Sequence, residues 1–179
     1  MGKKMKPVAF LYLPAVDDTG QCLERLSVTE QGTALVLGEY GLLNPLAIMH
    51  ELKSSWEGDI YLELTAAGKN RDLIKSYLVS AAQSGFAGVV LASGLFTIAP
   101  GMGKPVFDLD PAQMLKLALD LKTKAVIPEN FIIAVRAPEG GEAALARARF
   151  FLENGADLAV YKNAPPEALK DHAALIRNI

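Results

Sequence analysis

The sequence predicts an α/β fold of the TIM type, an abbreviated (β/α) barrel of about six parallel units occupying residues 1–179 as one domain. Three observations point there. Short apolar runs alternate with segments of helical apolar spacing, and such alternation calls for a parallel sheet with right-handed crossovers. Hydrophobic residues make up 51% and charged residues 21%, a balance that suits a sheet covered on both faces by helices. The 179 residues fall short of the roughly 200 or more that a complete eightfold barrel takes, so about two units are missing or the sheet closes differently. Periodicity alone also admits an open, doubly wound sheet.

Each unit has its own signals. The run from Val8 to Leu13 (VAFLYL), stopped by Pro14, reads as the first strand, and Leu23 and Leu26 allow one or two helical turns within residues 17–32. ALVLG, from Ala34, is the second strand, with Asn44 as N-cap and Pro45 at the first position of the helix PLAIMHELKSSW. IYLELTA (60–66) is the third strand. Its helix starts at Asn70, carries Leu73, Ile74, Tyr77, Leu78 and Ala81 as a stripe, and closes on Gly85. AGVVLAS (87–93) is the fourth strand, followed by a long loop and the helix PAQMLKLALDLKTKA. FIIAVRA (131–137) and DLAVYK (157–162) are strands five and six, followed by the helices EAALARARFFLENG and PPEALKDHAALIRNI.

Several function classes drop out on composition. The net charge is −2 and the basic residues form no stripe, so nucleic acid is not an expected partner. Lys3, Lys4 and Lys6 read as a solvated tail. Apolar stretches are too short to span a membrane, and Val8 to Val16 lacks a cleavage signature, so a cytoplasmic protein is expected. With Cys22 alone and only His50 and His172, no disulfide, zinc cluster or histidine metal site is expected.

Three stretches, in order, resemble the methylenetetrahydrofolate reductase family. They are LTAAGKNRDLIKSYLVSAAQSGFAGVVLASG (64–94), KPVFDLDPAQMLKLALDL (104–121) and FIIAVRAPEGGEAALARARFFLENGADLAV (131–160), with FLYLP in the first strand similar to that family's opening strand. The resemblance implies a flavin-dependent oxidoreductase of one-carbon metabolism, with FAD as cofactor and a folate as substrate. Position by position, the family's strand-one acid falls on Leu11, its flavin-tuning Asp on Leu95, its nucleotide-gripping Lys on Phe151 and its substrate-contacting Gln on Lys162. The aromatic of its Pro-Val-Tyr-Asp segment is kept as Phe107. Two readings follow. One is a reductase-like enzyme or flavin- and folate-binding protein with substitute carboxylates. The other is a non-catalytic binding or partner subunit that kept the scaffold.

Activity in such folds collects at the carboxyl ends of the strands. The polar residues expected there are Glu39, Tyr40, Glu63, Thr65, Ser93, Arg136, Tyr161 and Lys162. Glu63, Thr65, Ser93, Phe107 and Asp108 are the candidate cofactor-binding set, and Glu39, Arg136 and Lys162 the candidate substrate-binding set. Glu63 interrupts an apolar strand and needs a partner if buried, for which Arg136 is the natural choice, either as a structural ion pair or as part of a ligand site. Asn70 and Asp110 are read first as N-caps. A sheet of six strands would expose its edges, which dimerisation, a partner chain or rearranged termini must cover.

Overall fold

The computed structural model describes residues 8–13, 19–27, 34–38, 44–94, 108–137, 141–161 and 173–178, with β1 and β7 placed by their backbone. The elements run β1 (Val8–Leu13), α1 (Thr19–Ser27), β2 (Ala34–Leu37), α2 (Pro45–Ser55), β3 (Ile60–Thr65), α3 (Arg71–Ser84), β4 (Gly88–Ala92), α4 (Pro111–Thr123), β5 (Ile132–Arg136), α5 (Gly141–Glu153), β6 (Leu158–Tyr161) and β7 (Ala173–Asn178). The strands form a closed barrel in sequence order, every neighbouring pair parallel, with β7 returning to β1. The chain is an abbreviated (β/α) barrel of the TIM type.

Closure by β7 corrects one expectation. The sequence predicts helix at the end of the chain, yet Ala173–Asn178 is a strand that pairs Val160 with Ala174 on one side and Phe10 with Ile176 on the other. AALIRN has no decisive propensity of its own. A strand there satisfies the backbone groups of both β6 and β1, which would otherwise be open edges, so tertiary pairing decides the outcome.

Helix boundaries follow local chemistry. Asn44 accepts from the Leu46 N–H at 3.0 Å ahead of Pro45, and Asn70 accepts from the Leu73 N–H at 2.9 Å. Asp110 and Gln113 form a reciprocal capping box ahead of Pro111, with bonds of 2.8 and 2.9 Å. Gly85 ends α3 with φ 87° and donates to the carbonyls of Ala81 and Ala82. On α3, Ile74, Leu78 and Ala81 are buried, whereas Leu73 is 43% exposed and lies off the stripe expected for it.

Side-chain alternation divides the sheet into two faces. Leu35, Leu62, Leu64, Val89, Leu91, Ile133 and Val135 face outward and pack on Leu52, Ile74, Leu78, Met114 and Ala118 of the helices. Ala34, Val36, Tyr61, Val90, Ala134, Leu158 and Val160 form a second cluster inside the barrel. There Gly88 lets β5 come close: a Cβ on it would lie 2.2 Å from the Ile132 carbonyl oxygen.

Candidate functional site

On β3, Tyr61, Glu63 and Thr65 share the inward face, and on β5 Ile132, Ala134 and Arg136 do. β4 lies between, with Val90 level with Glu63 and Ala134. Glu63 is 1% exposed, and Arg136, the last residue of its strand, has a side chain 29% exposed. The Arg136 Nη1 donates to Glu63 Oε1, so the pair suggested by the sequence forms across β4. A carboxylate so deeply buried cannot stay charged cheaply without such a partner. The guanidinium therefore stands at the carboxyl end of the barrel, fixed from below by an acid and reaching solvent from above.

Two more groups flank this end. Thr65 is 1% exposed, and its Oγ1 accepts from Lys69 Nζ at 3.3 Å. Lys69 sits in the β3–α3 turn, also donates to the Ala67 carbonyl at 3.4 Å, and places its ammonium 5.8 Å from the centre of the Tyr77 ring. The Tyr77 hydroxyl accepts from Asn44 Nδ2 at 3.5 Å, which links the rim to the start of α2. Lys69 was not singled out from the sequence. Its one signal there is a lysine inside a strand-to-helix turn at the active end of a barrel. Chemically, a fixed guanidinium and an ammonium at one mouth can hold a carboxylate or another small anion.

The other candidates separate. Ser93 is exposed and lines a cavity of about 310 Å³ with Ala66, Leu109, Asp110, Pro111 and Gln113, beside the mouth. Asp108 accepts from the Arg71 N–H at 2.8 Å, tying the approach of α4 to the start of α3. Tyr161 is not on the rim: it packs outward with Ala137, Ala148 and Ala159, and burial pushes its phenol up from the usual value. Phe151 is 2% exposed, packed in the core with Phe150 edge-on at 5.5 Å and the Arg147 guanidinium 5.1 Å from its ring. Glu39, Tyr40, Leu95, Phe107 and Lys162 lie outside the described residues, and Leu11 is placed by its backbone alone. Among the described residues, no group of three or more His, Cys, Asp or Glu is placed to hold a metal ion, and no helix is long and apolar enough to cross a membrane.

No protein-family model and no curated protein matches the chain. Its fold does resemble solved structures. One is 2,3-dimethylmalate lyase, a member of the PEP mutase/isocitrate lyase superfamily, at 14% identity and a TM-score of 0.54, with 86% of this chain and 58% of that one covered. A second crystal form of that lyase gives 11% identity and a TM-score of 0.58, covering 96% and 74%. Oxaloacetate acetylhydrolase in complex with oxalate gives 12% identity and a TM-score of 0.58, covering 94% and 75%. The chain thus spans between just over half and three quarters of these relatives' lengths.

These findings overturn the expected kinship with methylenetetrahydrofolate reductases. The structural neighbours are a lyase and a hydrolase of a different superfamily, and nothing matches at the level of sequence families. With the kinship go the oxidoreductase, one-carbon, flavin, folate and FAD expectations, together with the derivative-subunit reading defined by losses from that family. The structure shows why the motifs misled. The Asn70 turn, the Asp108 to Pro111 segment and the Asn154 to Asp157 turn do structural work. Asn70, Asp108 and Asp110 cap helices, Gly155 turns with φ 96°, and Asp157 Oδ2 accepts from the Ile133 N–H at 2.8 Å and Lys122 at 3.2 Å. Any barrel of this kind needs such devices.

Proposed function

We propose that this barrel binds a small carboxylic acid of the oxalate or 2-oxo-diacid type at its carboxyl-end mouth. Arg136 is the carboxylate anchor, oriented by Glu63, and Lys69 supplies a second positive charge beside Thr65. The buried Glu63–Arg136 pair carries the reading, since it pre-sets a planar guanidinium where (β/α) barrels place their ligands. The structural neighbours give it direction: they are 2,3-dimethylmalate lyase and oxaloacetate acetylhydrolase, the latter in complex with 3,3-difluorooxalacetate or with oxalate, and the compounds so named are all small carboxylic acids. Glu39 and Lys162, which follow β2 and β6 in the sequence, are kept in the proposal as further candidate ligand groups. A cytoplasmic setting, the expectation drawn from the sequence, is part of the proposal.

Calorimetric titration of the full chain with oxalate, oxaloacetate and malate, against chloride at matched ionic strength, tests this. Arg136→Lys is the informative variant because it keeps a cation for Glu63 while losing the planar fork. Saturable binding by the native chain is expected, weakened about tenfold or more in the variant, as loss of a charge-assisted hydrogen bond worth roughly 1.5–3 kcal/mol implies. Absence of binding by all three acids, or equal affinity in both proteins, refutes it.

A further inference from the structure

A larger cavity, of about 530 Å³, opens at the opposite, amino-terminal end of the barrel, within the size range of small-molecule sites. It is lined by Lys53 from the last turn of α2, Asp59 before β3, Tyr61 inside β3 and Asn130 before β5, with Gly85 and Ile132 among the walls. Two of these groups are set in place by the fold. A Cβ on Gly85 would lie 2.0 Å from Lys53 Nζ, so the ammonium rests on the glycine that caps α3, at the helix end that favours cations. The Asp59 carbonyl accepts from the Leu35 N–H at 2.8 Å, which pins the loop carrying its carboxylate. No ion pair or hydrogen bond engages the side chains of Lys53, Asp59 or Asn130 among the described residues.

We infer that this end of the barrel is a second binding site, specific for a small zwitterion such as a free neutral amino acid. Lys53 takes the carboxylate and Asp59 the ammonium, while the Asn130 amide and the Tyr61 hydroxyl supply neutral hydrogen bonds and Ile132 an apolar wall. Both signs of charge line one cavity, which selects against the dianion proposed for the mouth, because a second carboxylate would meet Asp59. The two sites are separate: from Tyr61 to Thr65 along β3 is about 13 Å at the usual rise per strand residue.

The chain carries its own reporter. Trp56, the sole tryptophan of the sequence, is the buried C-cap of α2 between Lys53 and Asp59. The full chain is titrated with alanine, serine and glutamine, followed by Trp56 fluorescence and by calorimetry, with oxalate as the dianion control. The expected result is saturable binding of at least one amino acid that moves the Trp56 signal, falls tenfold or more in Lys53→Met and in Asp59→Asn, and is unchanged in Lys116→Met on the exposed face of α4. Both informative variants alter exposed side chains, and circular dichroism checks that they fold. No saturable response to any of the three, or binding indifferent to both Lys53→Met and Asp59→Asn, overturns the inference.

Discussion

Inside the barrel, β3 differs from its neighbours in one respect: its inward residues are Tyr61, Glu63 and Thr65, whereas β4 offers Gly88, Val90 and Ala92. Each polar group has a consequence. Removing Arg136 takes an ion-pair partner from the buried Glu63 carboxylate, so Arg136→Met is expected to cost about 3–5 kcal/mol, while the double variant with Glu63→Leu regains much of it. Urea unfolding of the four proteins of this cycle measures the coupling, and additive losses contradict it. The Tyr61 phenol is pushed from 10.0 up to about 12 by burial first, then by the charges of Asp59 and Asp157. The fold therefore favours its protonated form. The resulting stability is fully present below the unfolded value of 10.0 and is lost as pH rises toward about 12. Ultraviolet titration of tyrosinate, compared with Tyr61→Phe, isolates this group, and a native-like titration at the ordinary value contradicts the burial.

At the scale of elements, the chain was most legible where a residue must satisfy exposed backbone groups. Asn44-Pro45, Asn70, Asp110-Pro111 and Gly85 each mark a helix end in sequence and in structure, because an orphan N–H or a left-handed cap admits few residue types. Asp110→Ala should lower unfolding stability by about 1 kcal/mol with little change in the site, as removal of an N-cap side chain does. Equilibrium unfolding reads the loss, and an unchanged midpoint contradicts the cap's role. The Ala173–Asn178 strand was illegible for the opposite reason: its pairing depends on where β1 and β6 come to lie, which no local window contains. The Glu63–Arg136 contact, at a separation of 73 residues, was readable because a carboxylate in an apolar strand poses a question that few residues in the chain can answer.

At the scale of the molecule, the seven parallel strands among the described residues close on themselves, so none of them has an open edge, and the edge argument for a covering partner does not carry over to the folded barrel. Closure gives the barrel two ends. The carboxyl end carries Arg136 on the buried Glu63 and Lys69 on Thr65, and the amino end gathers Lys53 and Asp59 around a wider cavity. The family-like motifs in the sequence turn out to build this scaffold rather than its chemistry, which is why their order suggested a reductase while the fold resembles lyases and hydrolases of small acids. In the proposed function, the guanidinium held by Glu63 faces a carboxylate ligand. Nitrogen-resolved NMR of the arginine side chains during an oxalate titration tests it most directly. A saturable shift of the Arg136 side-chain resonance, accompanied by the Thr65 and Lys69 signals, is expected; an Arg136 signal that stays fixed while oxalate binds elsewhere, or does not bind, rules the proposed site out.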